Sequence, residues 1–257
     1  MGTEMKKDVH LTGKDLMGMV QLRPEDVGKY AIVPGPKERL DGMLKAIENP
    51  VKNFTFMEYN MYTGMLDGAK VTMMNGGRFA ADTAITTEIL CNAQPKAIIR
   101  VGSCGALDDD IKIGDIIVAD SAWSGEGVTP YYVDDAKNWE PQADKQLTDD
   151  LEEIAKATGF NVHRGKCWST DAILKETKAN VKLATDRGCI AVDMVTSVML
   201  TICGQYNIPA TVILAVSDNI ISGEMGFLDT NYYMAEHTIC QAAMELVKKR
   251  EGAGAKA

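Results

Sequence analysis

Short apolar runs alternate with amphipathic stretches along the chain, and this alternation limits the possible folds more than any other feature. Tyr30–Val33, Ala69–Met74, Asp115–Ala119, Ile190–Val192 and Ala210–Val216 have the length and content of strands. Phe54–Thr63 and Asn161–Trp168 are further strand candidates, and Leu66-Asp67-Gly68 marks the turn between Phe54–Thr63 and Ala69–Met74. Between the runs, Lys37–Glu48, Asp82–Asn92, Gln146–Thr158, Val181–Arg187, Met194–Tyr206 and Tyr232–Arg250 carry apolar residues at helical spacing. On the closing helix the stripe is read as Met234, Ile239, Ala242, Ala243 and Leu246. No linker and no internal repeat interrupts the pattern. The 257 residues are therefore expected to form one α/β domain, a central sheet covered by helices. Residues 1–9 and 251–257 are expected to be flexible ends.

Within that frame the stretch Ala97–Leu107, AIIRVGSCGAL, stands out. It begins as a buried strand and reaches Gly102, Ser103, Cys104 and Gly105, which are expected to form a tight turn. Backbone N–H groups gathered in such a turn make a nest for an anion. Arg100 would add a planar bidentate fork and Ser103 a hydroxyl. The same residues also suit an ordinary strand and turn with Arg100 in solvent. Pro34-Gly35-Pro36 places a second glycine turn before a helix, with Arg39 in its first turn, and Asn75-Gly76-Gly77-Arg78 makes a third loop. Ala210–Val216 delivers Ser217, Asp218 and Asn219 at its end. Ligands of such folds bind beyond the carboxyl ends of strands, so these strand ends are expected to meet in one cleft. Ser124–Tyr132 reads as a polar loop.

Composition removes several classes. The net charge is −9, and no Lys/Arg stripe offers a face to nucleic acid. No apolar run is long enough to span a membrane. Cys91, Cys104, Cys167, Cys189, Cys203 and Cys240 lack CxxC spacing and are read as reduced thiols of a cytoplasmic protein. With histidine only at His10, His163 and His237, no metal-ligand cluster is expected. Most of the fifteen methionines are expected to be core filler.

Taken together, the motifs resemble the nucleoside phosphorylase family, which holds bacterial purine nucleoside and uridine phosphorylases and related nucleosidases. IVPGPKERL is similar to its phosphate loop and IIRVGSCGAL to its most specific motif. AVDMVTSVML stands at its VEMEx-type helix start, AVSDNI at its TVSD-type strand end, and HLTGKDLMG and GEGVTPYY resemble further segments. The resemblance implies a three-layer α/β/α sandwich with a mixed, partly barrel-like central sheet. It implies no cofactor, inorganic phosphate as co-substrate, and a homo-oligomer, either a dimer or a hexamer built as a trimer of dimers. Gly35, Arg39, Arg100 and Ser103 would hold phosphate. Cys104, Gly105, Trp168, Val192, Asp193, Met194 and Ser217 would surround the nucleoside, and His10 would reach a neighbouring subunit's ribose. Asp218 would be the general acid for a purine leaving group, which requires burial to hold its proton.

Three departures qualify this picture. Val195 replaces the second glutamate of the VEMEx motif, Asp193 stands at the first, and Met57 falls where a phosphate-binding arginine would cross the dimer. No arginine follows Asp218 in residues 219–227. Arg78 is a candidate to restore positive charge, and Glu126 or Glu224 to supply a carboxylate for a sugar hydroxyl. The stretch DAILKETK holds Lys175 and Lys178 but no uracil-reading glutamine and arginine. The leading expectation is phosphorolysis of a purine-type nucleoside to free base and pentose 1-phosphate. The alternatives are a hydrolytic nucleosidase and a non-catalytic nucleoside- or base-binding protein on the same scaffold.

Overall fold

Alternation along β1 (Tyr30–Val33) already defines two sides of a sheet: Ala31 and Val33 pack into one buried cluster, Tyr30 and Ile32 into another. A computed structural model describes residues 9–254, so most of the two ends expected to be flexible lies outside the described residues. Ten strands form one sheet: β2 (Glu48–Phe56), β3 (Tyr59–Leu66), β4 (Ala69–Met74), β5 (Ala97–Ala106), β6 (Ile116–Gly125), β7 (Val162–Thr170), β8 (Cys189–Asp193), β9 (Ala210–Asn219) and β10 (Glu224–Met225) join β1. Their order is β10-β9-β6-β7-β8-β5-β1-β4-β3-β2, and a further β9–β5 pairing closes five of them into a ring. This ring is the barrel-like part of the sheet.

Helices cover both faces. α1 (Gly13–Met19), α3 (Ala80–Asn92) and α6 (Thr196–Gln205) bury Leu16, Ile89, Leu90, Val198 and Ile202 against one side. α2 (Lys37–Leu44), α4 (Lys145–Lys156) and α7 (Thr230–Gly254) bury Leu40, Leu147, Leu151, Ile239 and Leu246 against the other. The result is a three-layer α/β/α sandwich. α5 (Lys178–Asp186) packs on the ring with Trp123, Trp168 and Val192. All six cysteines are buried free thiols. Among the described residues no helix is long and apolar enough to cross a membrane.

Several boundaries differ from the sequence reading. Phe54–Thr63 is not one strand: it contains the hairpin turn Met57-Glu58, with Phe56 paired to Tyr59. Nothing in FMEYN marks a turn, and Met57 adopts a left-handed backbone at φ 50°. The Asp67-Gly68 turn forms as expected, with φ 48° and 79°. α2 stops at Leu44, and the chain re-enters the sheet at Glu48. Ser124–Tyr132 is partly strand and buries Glu126 and Thr129. Met234 is exposed, so the inner face of α7 runs instead through Tyr232, Ala235 and Ile239. α7 also continues beyond Arg250, where Glu251 pairs with Lys29 at 2.7 Å and Lys96 at 3.5 Å.

Met57 is exposed and makes its left-handed turn without packing in return. Glycine adopts that conformation without the Cβ penalty, although it loses more freedom on folding. Met57→Gly is expected to raise stability by about 0.5 kcal/mol, read as a higher urea midpoint at unchanged m-value.

Candidate active site

The cleft arises because β5 changes partners along one edge. It pairs with β1 as far as Arg100 and with β8 from Gly105, while β9 runs beside it from Ile98 to Ala106. Residues 101–104 therefore face no strand on the side where β1 and β8 part. This corrects the expected turn. Gly102, Ser103, Cys104 and Gly105 stay extended because the β9 pairing carries through them, so they do not curl into a nest of amides. A cavity of about 360 Å³ opens at this gap. The loops after β1 and β4 border it and are tied together by Gly76 N–H donating to the Gly35 carbonyl at 2.9 Å. Gly35 and Gly77, both at φ 78°, make turns that favour glycine.

Three arginines line the cavity. The buried Arg100 donates from Nη1 to the Gly77 carbonyl (2.8 Å) and from Nη2 to Asp193 Oδ2 (3.0 Å). Its Nε is buried and has no hydrogen-bond partner among the described residues, a spare donor within the site. Arg39 donates to the Pro34 and Val101 carbonyls and grips Glu236 Oε1 from Nη2 at 2.5 Å and from Nε at 3.1 Å. Arg78 pairs with Asp82 (3.3 Å) and Glu58 (2.8 Å). The Tyr232 phenol, in the same lining as Ser103, donates to Glu236 Oε1 at 3.4 Å. Each guanidinium thus already has a carboxylate, and an arriving anion must share it.

Further along the cleft lie Ser217 and Asp218. Ser217 Oγ is 2.7 Å from Asp218 Oδ1 and 3.1 Å from the Cys104 carbonyl. The register sets the spacing: Asp218 pairs with Gly105, whereas the Arg100 guanidinium lies against Gly102. Three residues of strand separate them by roughly 10 Å, the reach of a small ligand carrying an anionic group. Glu176, half-buried after β7, lines the same cavity. Burial first, and the Asp218 charge second, raise its carboxyl to about 7. Burial, with Asp193 and Asp218 adding to it, pushes the Cys104 thiol well up, so the cleft does not favour a thiolate.

Asp193 lines the cleft but is heavily committed. Oδ1 accepts from Ser169 Oγ (2.7 Å) and the Val195 and Thr196 amides (both 3.1 Å), and Oδ2 from Thr196 Oγ1 (2.7 Å) and Arg100. It caps the start of α6 while holding Arg100. Val195 is fully buried and outside the cavity lining, so it offers nothing to a sugar hydroxyl. The structure brings together Gly35, Arg39, Arg78, Arg100 and Ser103 with Cys104, Gly105, Val192, Asp193, Met194, Ser217 and Asp218.

Four candidates lie apart from this group. His10 is exposed before α1, and Glu224 is exposed on β10. Trp168 is buried behind the wall, stacked on Trp123 at 6.0 Å. Glu126 is also buried and accepts from Ser124 Oγ, Ser197 Oγ and the Val128 and Thr129 amides. Its carboxylate organises the 124–129 loop rather than a ligand. The sequence reading missed Glu176 and Glu236. Glu236 had a legible signal, as a carboxylate one turn after Tyr232 on the inner face of α7. Glu176 lay between the two lysines that drew attention to DAILKETK.

Gly102 leaves the space that Arg100 occupies. A Cβ there would stand 2.6 Å from Arg100 Nη2, 2.8 Å from its Cζ and 2.8 Å from Leu214 Cδ2. Arg100 is pinned on both sides and cannot swing away freely. Gly102→Ala is expected to cost about 1–3 kcal/mol of stability and to weaken anion binding at least about tenfold, read by thermal unfolding and phosphate titration.

Comparison with known proteins agrees with the architecture. Residues 29–248 match the Phosphorylase superfamily. The chain is 30% identical over 164 residues to a DeoD-type purine nucleoside phosphorylase of Clostridium novyi, spanning 63% of this chain and 70% of the relative. It is 25% identical over 211 residues to a guanosine phosphorylase of Halorubrum lacusprofundi, spanning 82% and 87%. The crystal structure of uridine phosphorylase from Vibrio fischeri superposes with a TM-score of 0.79 over 90% of this chain and 96% of that one, a likeness of fold at 22% identity. The chain therefore belongs to the phosphorylase superfamily, as a nucleoside-phosphorylase-family enzyme.

Proposed function

We propose that this enzyme cleaves the N-glycosidic bond of purine-type nucleosides with inorganic phosphate as nucleophile, releasing base and pentose 1-phosphate. The observation that carries this reading is a single cleft with Arg39, Arg100 and Ser103 along one part and Asp218 along another. Breaking the bond leaves positive charge on the sugar and negative charge on the base. Phosphate held by Arg100, with its unpartnered Nε, stabilises the first and attacks C1′. Asp218, oriented by Ser217, faces the second. Purine is favoured because Asp218 stands at the strand end and residues 171–178 hold no glutamine–arginine pair for uracil. The names of the purine nucleoside and guanosine phosphorylases among its relatives point the same way.

The sugar meets an altered wall. With Val195 buried and Asp193 occupied, neither offers a free carboxylate to the ribose hydroxyls. His10 lies outside its own chain's cleft, a placement that suits donation to a neighbouring copy in a dimer or in a hexamer of dimers. Six reduced thiols suit a cytoplasmic setting. A second reading, a nucleoside-binding protein without turnover, draws on the pairing of every cleft arginine with a carboxylate.

Release of free base from a panel of purine and pyrimidine nucleosides, with and without phosphate, decides among these. Phosphate-dependent release from purine nucleosides is the expected outcome. Release without phosphate identifies a hydrolase, and saturable binding without release identifies the binding protein. A companion variant probes the anion end. Glu236→Gln removes the charge that competes for Arg39 and is expected to tighten phosphate binding about threefold to tenfold, measured by calorimetry.

A further inference from the structure

We propose that Glu176 works beside Asp218 as the proton store of the cleft: its carboxyl holds the proton that passes to the departing base. The inference rests on the phosphorolytic reading above and adds to it a residue to which that reading gives no role. Both side chains line one cavity, and Glu176 has no hydrogen-bond partner among the described residues.

A charge inventory of the cleft explains why the proton stays. Arg39 is matched by Glu236, Arg100 by Asp193, and Arg78 by Asp82 and Glu58. Those carboxylates have their cations, while Asp218 and Glu176 have none among the described residues. On Glu176's own loop, Asp171, Lys175 and Lys178 are exposed, and Asp171 already accepts from the Gly127 amide at 2.8 Å. Burial is the larger influence on Glu176 and the Asp218 charge adds to it, so the Glu176 carboxyl keeps its proton up to about neutral pH. A bound phosphate brings more negative charge and favours the protonated Glu176 carboxyl further.

The step balances. A phosphate oxygen bonds to C1′ as the bond from C1′ to the base nitrogen breaks, and the bonding pair moves into the base. The base takes the Glu176 proton on its ring nitrogen, leaving that carboxyl ionised. The hydrogen of the attacking phosphate leaves to solvent, and a solvent proton reloads Glu176. The exposed apolar side chains of Ile173 and Phe227 line the same cavity and limit water around the pair once a base lies between them.

The test is Glu176→Gln, which keeps shape and hydrogen bonding but carries no acidic proton. Substrates are inosine and 7-methylinosine, whose base is already cationic and needs no proton. On inosine, kcat/KM is expected to fall about a hundredfold or more, and the descending limb of its pH profile, near 7 in the wild type, to move toward acid. On 7-methylinosine the loss is expected to stay within about threefold, which also shows that the variant is folded. Infrared difference spectra between pH 6 and 8 should show a protonated carboxyl band that disappears in the wild type and is missing from the variant. Equal losses on both substrates, an unchanged rate on inosine, or no carboxyl titrating near neutrality overturns this role of Glu176 while leaving phosphorolysis intact. A wild type that turns over neither substrate overturns the phosphorolytic reading and, with it, the proton's destination.

Discussion

The buried ion pair between Arg100 and Asp193 joins parts of the structure that would otherwise have no reason to meet. Arg100 comes from β5, just before that strand exchanges β1 for β8. Asp193 ends β8 and binds the first amides of α6. The pair spans the split in the sheet and fixes the floor of the cleft to a helix start. Removing one member of such a pair leaves a bare charge in the interior, commonly worth about 3–5 kcal/mol. Asp193 is therefore tied to architecture as much as to any ligand, and a residue expected to touch the nucleoside also builds the platform beneath it.

The cleft is compensated rather than simply basic. Glu236, Asp193, Asp82 and Glu58 answer its three arginines, which allows a chain of net charge −9 to keep buried guanidiniums in place without an anion. Phosphate then enters by sharing these partners and by using donors they leave open, such as Arg100 Nε. At the Asp218 end the balance fails, with two carboxyls and no paired cation among the described residues. Proton chemistry belongs at that end.

The architecture was largely readable from periodicity. Strand-length apolar runs and helical stripes placed most elements, and four polar strand ends, three of them glycine-bearing, pointed to one cleft. Errors arose where long-range pairing overrode local signals. Gly102 to Gly105 looked like a turn, but β9 holds them straight. Met57-Glu58 looked like strand interior, but the β2–β3 register bends the chain there. In the site, residues borne by recognisable motifs were found, whereas Glu176 and Glu236 were not. Their importance comes from what stands opposite them, which no local pattern encodes. Glu126 shows the reverse case: its loop looked suited to binding, yet four internal hydrogen bonds occupy its carboxylate.

The ring closed by β9 against β5 leaves the sheet with two outer margins, and neither invites another chain to extend it. One is β10, only two residues long. The other is β2, which carries Pro50 and Lys52 and has two register shifts against β3. Proline withholds a donor, the lysine resists desolvation, and irregular register spoils a straight template. Open-ended polymerisation through main-chain ladders is thereby disfavoured at both ends.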